Sequence, residues 1–409
     1  MQTLDANHKG FLLTQSNSLL HFAYGSVINS GGFGYLNEVG KVDASKPLEC
    51  YLQARKIQVF GLSHLMELAD CKNLVQHGVD SLSNLFRDKA VGGFYNSIDI
   101  NGKPLSKSKF AYDHMFVLLA ATTAREVDVA GAQELFDYSE KIIEKYFWDG
   151  HHRMMNNHWD QDFTTLDSYR GINSNMHAVE ALTAAFEATG KPVFRDQAYE
   201  ICMQAVDVFA RNNQWMLPEH FDAQWKVLKD FNSENPADPF RPFGITIGHL
   251  FEWSRLILQI GLCMPPNSEE HSWILEGARA LYEIGKNDGW AADGFPGFVY
   301  TLDWNKKPVV KSRMQWVAAE AVMAAFTLWK VTGEGKYLED YFFWWSYIQE
   351  HVIDNEYGSW HHELNANQEV TSFTWSGKPD VYHAFNACIL PLLPFGASFI
   401  GSAKLLKAN

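Results

Sequence analysis

The chain has 409 residues, of which 46% are hydrophobic and 20% are charged, a composition that excludes an intrinsically disordered protein. The net charge of −14 comes without a cluster of basic residues, which argues against nucleic acid and anionic membranes as partners. Aromatic residues make up 14% of the chain, which indicates either heavy core packing or a site for a ring-bearing ligand such as a sugar.

The N-terminal segment and the cysteines bear on where the protein works. Residues 1–13 do not show a charged start followed by a long apolar run, and no window of 18 apolar residues follows, so we expect neither a signal peptide nor a transmembrane helix. The five cysteines are scattered and form no Cys-x-x-Cys pair. This usage fits a reducing cytoplasm better than a disulfide framework or a zinc site.

A two-part unit recurs along the chain, and its first part is a short stretch rich in Gly, aromatic residues and Asn or Asp. The stretches occupy residues 92–106, 296–310 and 357–371, with looser copies at 34–43 and 156–165. In two of them an aromatic residue precedes an aspartate by five positions, as Phe94 precedes Asp99 and Phe298 precedes Asp303. Alternation ahead of a turn such as Asn101-Gly102 predicts a β-hairpin in each.

The second part of the unit is an apolar helix. When these helices are aligned, a polar or aromatic residue falls near the start of each, at Arg55, Tyr112, His177, His249, Trp316 and His383. The spacing between successive aligned residues is 57 to 72 positions. A period of this size predicts a repeated pair of helices.

Amphipathic helices are predicted between the apolar ones. They lie near residues 8–23, 73–88, 131–147, 193–212, 270–286 and 336–353. Because helices that are apolar on all sides are buried and amphipathic ones bury a single face, we predict an inner and an outer ring of six helices each. The fold is then an all-α (α/α)6 barrel, a single catalytic domain over residues 1–409, with short β-hairpins at the active-site end. The alternative is an open solenoid of helix pairs.

In a closed ring, the six aligned residues converge on one cavity. Three of them are histidines, the side chains best suited to proton transfer near neutral pH. His249 and Glu252, like His177 and Glu180, are three positions apart on one helix face. Glu252 therefore orients His249 and exchanges protons with the ligand, or the four side chains hold a metal ion, or they are plain surface pairs.

The remaining candidates each have a structural alternative. Arg55 either forms a buried ion pair or binds a sugar oxygen and stabilises an oxyanion. Asn173 either binds hydroxyl groups or caps a helix. Tyr112, Trp316 and Trp375 either wall a sugar site or pack in the core. No phosphate-binding loop, dinucleotide fingerprint, serine-hydrolase motif or zinc-protease motif occurs in a credible context. Of the reaction classes considered, the sequence therefore favours acid–base chemistry on a small neutral polyol.

At these residues the sequence resembles the N-acylglucosamine 2-epimerase superfamily over nearly its full length. The matching motifs are LQARKIQVF at 52–60, YDH at 112–114, NSNMHAVEA at 173–181, GHLFEWSRL at 248–256 and DVYHAF at 380–385. The resemblance implies an (α/α)6 barrel that binds a sugar. It carries the catalytic histidines of the superfamily onto His249 and His383, a third histidine onto His177, and an arginine onto Arg55.

Within the superfamily, the chain looks most like the aldose–ketose isomerases. Ile247 stands where the 2-epimerases have a proline before Gly-His. Arg241 is a candidate sugar ligand and the one extra cation that could serve a sulfo-sugar, whereas Glu363 would repel a sulfonate if it faced inward. We therefore expect interconversion of D-mannose and D-fructose, with D-lyxose and D-xylulose as pentose analogues. A sugar 2-epimerase and a sulfoquinovose isomerase are the alternatives within the superfamily.

The mechanism implied by the resemblance needs neither a metal ion nor another cofactor. His249, assisted by Glu252, opens the pyranose. His383 then moves the proton from carbon 2 to carbon 1, while Arg55 and His177 stabilise the cis-enediolate. We expect a monomer or homodimer whose partner is a monosaccharide, with no nucleic acid and no membrane. The alternatives from other classes are an (α/α)6 glycosidase that uses Glu252 and Glu180, and a carbohydrate-binding protein.

Overall fold

The computed structural model describes residues 4–265 and 271–408, and thirteen α-helices lie in these two ranges. The inner ring consists of α2 (Cys50–Leu65), α4 (Ala111–Val127), α6 (Ile172–Thr189), α8 (Ile247–Gly261), α10 (Gln315–Thr332) and α12 (Tyr382–Ile389). The outer ring consists of α1 (Ala6–Tyr24), α3 (Lys72–Ser81), α5 (Ala132–Ile142), α7 (Pro192–Cys202), α9 (Trp273–Gly289) and α11 (Gly335–Tyr347). The predicted two-ring architecture is confirmed.

Burial separates the two rings as the hydrophobic pattern predicts. All residues of α2 except His64 are buried, whereas α5 buries only a stripe of residues three or four positions apart, as expected for a helix that packs on one side. The outer helices α3, α5, α7 and α11 continue into π-helical turns at Leu82–Phe86, Ile143–Phe147, Met203–Ala210 and Ile348–Val352. No helix within the described ranges is long and apolar enough to cross a membrane.

Two details of the helices differ from the prediction. The outer helix predicted at 270–286 is α9, and residue 270 itself lies outside the described residues. A further helix, α13 (Phe399–Ala408), packs against α2 and α6. Residues 397–400, where this helix begins, line a small cavity together with Gln58, Thr183 and Gln259 in the carboxyl-terminal halves of the inner helices. The segment thus closes the end of the barrel opposite the hairpins.

Short antiparallel strands connect each unit to the next. The strand ahead of one inner helix pairs with the hairpin strand that precedes the following inner helix. These pairs are β1 (Leu48–Glu49) with β2 (Ser97–Ile98), β4 (Lys109–Phe110) with β7 (His158–Trp159), β8 (Arg170–Gly171) with β9 (His220–Phe221), β10 (Ile245–Thr246) with β11 (Thr301–Leu302) and β12 (Arg313–Met314) with β13 (Glu363–Leu364). The other strands are β3 (Pro104–Ser106), β5 (Trp148–Asp149) and β6 (Met154–Met155).

The predicted hairpins are present, and one polar position explains their common shape. A side-chain oxygen at that position accepts the backbone N–H groups two and four residues later, which closes the turn. The residues are Asn37, Asp99, Asp160, Asp222, Asp303 and Asn365. The hairpin at Asp222, in which Phe221 pairs with Val227, was not among the predicted stretches.

The ring closes where the first hairpin meets the segment ahead of the last inner helix. The backbone N–H of Lys378 donates to the carbonyl of Leu36 at 2.9 Å, and the Tyr35 hydroxyl donates to the carbonyl of Ser376. Helix α12 packs against both α1 and α2. This seam excludes the open solenoid and directs the starts of all the inner helices toward one axis.

Candidate active site

The hairpin end of the inner ring opens into a cavity that contains about 740 Å³ of empty space, part of it open to solvent. Nine residues predicted from the sequence line it: Arg55, Tyr112, Asn173, His177, His249, Glu252, Trp316, Trp375 and His383. Asn173 lies inside α6, whose N-cap is Gly171, so Asn173 is not a helix cap. Arg55 and His177 lie in the second turn of their helices rather than the first, so they reach a deeper level of the cavity.

Two histidines of the cavity share one arrangement. The Nδ1 atom of His383 lies 2.8 Å from a carboxylate oxygen of Glu320, and the Nδ1 atom of His249 lies 2.9 Å from one of Glu219. Both carboxylates are almost fully buried. A carboxylate on Nδ1 favours the tautomer that carries its proton there. In its neutral form, each histidine therefore presents an unprotonated Nε2 to the cavity, as a general base requires.

The indole of Trp316 lies between these two histidines. Its ring centre is 5.4 Å from that of His249 and 5.7 Å from that of His383. Gly248, the residue before His249, makes this packing possible because a Cβ atom there would lie 2.1 Å from a Trp316 ring carbon. The Gly-His pair of the GHLFEWSRL motif therefore has a steric basis.

Glu252 differs from its predicted role. It does not contact His249 by hydrogen bond, since His249 turns to Glu219, and neither carboxylate oxygen has a hydrogen-bond partner within the described part of the chain. Burial, together with the nearby carboxylates of Glu320 and Glu180, raises the pKa of Glu252 well above its usual range. This shift favours the protonated form of Glu252, which lines the cavity and in that form can donate a hydrogen bond to a ligand.

His177 forms a third buried pair, with Glu180. Its Nδ1 atom lies 3.3 Å from one oxygen of Glu180, and the hydroxyl of Tyr382 donates to the other at 2.5 Å. Burial lowers the pKa of His177 to about 4, so the imidazole is neutral at pH 7. Glu180 does not line the cavity, which removes one of the two carboxylates that the glycosidase alternative needs.

Arg55 combines both roles that were open from the sequence. It forms an ion pair with Asp380 and donates to the Tyr112 hydroxyl at 2.9 Å, and it also lines the cavity. Burial alone would raise the pKa of Asp380, but the Arg55 guanidinium lowers it to about 2. Arg55 is thus charged, fixed in position and available to an oxyanion.

Aromatic rings form the cavity mouth. Phe240 is 44% exposed and contacts Trp375 edge-to-face at 5.4 Å and Tyr112 at 6.0 Å. The backbone N–H of Trp375 donates to Glu363 at 2.9 Å. Glu363 is therefore a buried support of the Trp375 loop and does not line the cavity, so it provides no argument about a sulfonate.

Arg241, which was predicted to be a sugar ligand, does not line the cavity. Its guanidinium lies over the ring of Tyr169, 4.2 Å from the ring centre. Among the described residues that line the cavity, Arg55 is the only one with a permanent positive charge, and Asp380 neutralises it. The site therefore suits an uncharged ligand.

The structure also adds residues that were not predicted. They include Tyr51, Phe240, Tyr300, Gln315, His362 and Asp380 in the cavity lining, with Glu219 and Glu320 behind the two histidines. Tyr51 and Gln315 lie in the first turns of inner helices, and Asp380 lies inside the DVYHAF motif, so the repeat alignment could have found these three.

Two groups of side chains at this site are of the types that bind metal ions. Among the described residues, the first group consists of His177, Glu180 and Glu252. The second consists of Glu252, Glu320 and His383. The predicted quartet with His249 is not assembled. The Nη2 atom of Arg255 lies 3.0 Å from Glu320 and 3.6 Å from Glu252, so a guanidinium already supplies positive charge between the two groups.

Known proteins resemble this chain over nearly its whole length. The family model for N-acylglucosamine 2-epimerase (GlcNAc 2-epimerase) matches residues 31–387. The D-mannose isomerase of Thermobifida fusca is 39% identical over 98% of each chain, and that of Pseudomonas cannabina pv. alisalensis is 38% identical over 96% of this chain and 94% of its own. The crystal structure of a D-mannose isomerase has a TM-score of 0.88 at 27% identity, covering 95% of this chain and 99% of that one. The chain belongs to the N-acylglucosamine 2-epimerase family.

Proposed function

We propose that this protein is an aldose–ketose isomerase that interconverts D-mannose and D-fructose, and D-lyxose and D-xylulose as pentose analogues. One observation carries the proposal: His249 and His383 line one cavity, and each has a buried carboxylate on Nδ1, which leaves Nε2 for a sugar. The similarity to D-mannose isomerases supports the choice of substrate.

The reaction starts with opening of the sugar ring, because the proton on carbon 2 becomes acidic only beside a free aldehyde. His249 takes the proton of the anomeric hydroxyl, the bond between carbon 1 and the ring oxygen breaks, and His249 returns the proton to the ring oxygen. Glu219 holds the imidazole in the required tautomer. The protonated carboxyl of Glu252 donates a hydrogen bond to a sugar oxygen.

Proton transfer between carbons follows. The Nε2 atom of His383 removes the proton from carbon 2, and the electron pair forms a cis-enediolate whose negative charge lies on the oxygens. Arg55 stabilises that charge. His177 is neutral, so we assign it to binding a sugar hydroxyl through Nε2 rather than to charge stabilisation. His383 then delivers its proton to carbon 1, the proton of the carbon-2 hydroxyl passes to the oxygen on carbon 1, and the ketose is formed.

The lining favours an uncharged sugar over a phosphorylated or sulfonated one. Asp380 already neutralises Arg55, and Arg241 is directed onto Tyr169, so a further anion would enter the cavity without a free cation. Asn173, Tyr112, Trp316 and the other polar and aromatic lining residues match the hydroxyl groups and CH faces of a neutral sugar.

Sugar 2-epimerisation is the second candidate, and one observation favours it. His249 and His383 approach the cavity from different inner helices, on either side of Trp316. If His249 returned a proton to carbon 2 from the opposite face, mannose would become glucose instead of fructose.

The proposal is tested by incubating the protein with D-mannose in deuterated water and following the products by NMR. We expect fructose with deuterium at carbon 1. Glucose with deuterium at carbon 2 would establish the epimerase instead, and the formation of neither fructose nor glucose would reject both. Mannose 6-phosphate serves as the charged control and is expected to react at least about tenfold more slowly, because desolvating an unpaired charge costs several kcal/mol.

The reaction is proposed to need no metal ion. Arg255 stands where a cation would balance Glu252 and Glu320, and the steps above use only protein side chains. Prolonged treatment with EDTA, followed by removal of the chelator, is therefore expected to leave kcat for mannose unchanged. Loss of activity with recovery on adding Mn²⁺, Co²⁺ or Zn²⁺ would contradict this expectation.

A further inference from the structure

A buried arginine lies directly behind the carboxylate that holds His383. Arg255 is 1% exposed, does not line the cavity, and follows Glu252 by three positions on α8. Its Nε and Nη2 atoms donate to the same oxygen of Glu320, at 3.1 and 3.0 Å. The other oxygen of Glu320 contacts His383 Nδ1 at 2.8 Å. The chain of contacts thus runs from α8 through α10 to α12.

The guanidinium is itself held in place. Its Nη1 atom donates to Gln259 at 3.0 Å, one helical turn further along α8. Because Arg255 is fixed at both ends of its planar group, it presents its two donors to Glu320 in a single geometry. A lysine could keep the charge there but not this pair of bonds.

Titratable groups approach Glu320 from several packed helices. They are Arg255 and Glu252 on α8, Glu180 on α6 and His383 on α12. Behind them, His177 and Tyr382 act on Glu180, and Arg55 acts on Glu252. Burial and Glu180 both favour a protonated Glu320, whereas Arg255 and the His383 hydrogen bond favour the ionised form, and the net result is a lowered pKa for Glu320. Glu252 lies beside the same arginine but without a hydrogen bond to it, and its pKa is raised instead.

We propose that Arg255 is a positioning residue for the isomerisation: it keeps Glu320 ionised, so that Glu320 accepts the Nδ1 proton of His383 and leaves Nε2 free to take the proton from carbon 2. This inference rests on the proposed function for its kinetic consequence, although not for its effect on the imidazole. A protonated Glu320 would instead donate to Nδ1. The ring proton would then move to Nε2, and His383 would cease to be a base.

The kinetic test replaces Arg255 by methionine, which keeps the length of the side chain and removes its charge. Loss of a cation at this distance raises a carboxyl pKa by about 1–3 units, so Glu320 is protonated over a wider pH range. We expect kcat for mannose to fall about tenfold or more at a pH on the acid limb of the unmodified protein's profile, with KM changed less than about threefold. Because Glu320 still ionises at higher pH, activity returns as pH rises, and the acid limb of the pH profile shifts upward by about 1–3 units.

Three further variants separate this effect from a general loss of structure. Glu320→Gln removes the titrating group, so its activity is expected to stay low at every pH. Arg255→Lys keeps a charge and is expected to shift the acid limb less than Arg255→Met. Arg279→Met is the matched control, because it removes an ion pair with Glu334 between two outer helices, and its pH profile is expected to match that of the unmodified protein.

A second readout needs no substrate and remains available if mannose is not turned over. With ¹⁵N-labelled histidine, NMR reports which ring nitrogen of His383 carries the proton, the signal being assigned by its loss in His383→Ala. At a pH between the acid limbs of the two proteins, we expect the proton on Nδ1 in the unmodified protein and on Nε2 in Arg255→Met. If Arg255→Met does not fold, the same measurement is made on Arg255→Lys, in which we expect a mixture. An unchanged tautomer, or an unshifted acid limb in a folded variant, would overturn the proposal.

Discussion

His383→Ala is expected to lower kcat for mannose isomerisation by about 10²–10⁴-fold, the usual cost of losing a positioned general base. The same change is expected to abolish exchange of the carbon-2 proton with deuterated water, because the imidazole on Glu320 is the group assigned to that proton. Both effects are measured by NMR on the same sample. His383 is 5% exposed, so the melting temperature is recorded alongside to show that the variant is folded.

A matched control for this variant is His151→Ala, because His151 is an exposed residue of the turn after β5. This substitution is expected to leave the rates of isomerisation and of carbon-2 exchange unchanged. The assignment would be reversed if His383→Ala retained carbon-2 exchange while His249→Ala lost it on every substrate. A purely structural role for His383 would instead lower the melting temperature in proportion to the lost activity.

His249→Ala is expected to cost as much as His383→Ala when the substrate is a pyranose, about 10²–10⁴-fold in kcat, since ring opening then lacks its proton carrier. On a sugar that cannot form a ring, the loss should be much smaller. D-glyceraldehyde meets this condition, and its conversion to dihydroxyacetone uses the same transfer from carbon 2 to carbon 1. The measured quantity is the ratio of the two rate losses, which we expect to exceed about tenfold.

Glu219→Gln tests the same step through the partner of His249. An amide cannot hold the Nδ1 proton as a carboxylate does, so this variant should show the same preference for the open-chain substrate, to a smaller extent. Equal losses on mannose and glyceraldehyde in His249→Ala would show that His249 acts on carbon 2 and not on the ring.

The fold was predictable because two periodic signals agree. Burial requires apolar residues on every side of an inner helix and a single stripe on an outer one, and both patterns are visible in a single sequence. Helix α13 was missed because it lies outside the repeat and serves only to close one end of the barrel. The hairpin at Asp222 was missed because His220 and Phe221 show little alternation before the turn.

The site was only partly predictable, because the sequence shows neighbours along a helix more readily than neighbours across the ring. Glu252 is three positions from His249 and was assigned as its partner, yet the imidazole turns to Glu219, which lies 30 positions earlier. In the same way, Glu320 reaches His383 across 63 positions. Pairs on adjacent units depend on how two helices face each other, and spacing alone does not reveal that.

One overlooked register would have located several of the missed residues. Counting back three positions from the residue that closes a hairpin turn gives Glu219 from Asp222, Tyr300 from Asp303 and His362 from Asn365. In each case the backbone carbonyl accepts the N–H at the start of the preceding inner helix. These residues therefore occupy equivalent positions at the cavity end of the barrel. Tyr300 and His362 lie within predicted hairpins, whereas Glu219 precedes the hairpin that was missed.

The seam between Leu36 and Lys378 also sets the order in which the protein becomes functional during synthesis. The contacts that close the ring join residues 325 to 341 positions apart, so they are among the most non-local contacts of the chain and form late in folding. Until the segment around Asp380 emerges from the ribosome, Arg55 lacks its partner and the apolar inner helices remain uncovered on one side. A nascent chain therefore leaves this apolar surface uncovered until the segment around Asp380 is available to pack against it.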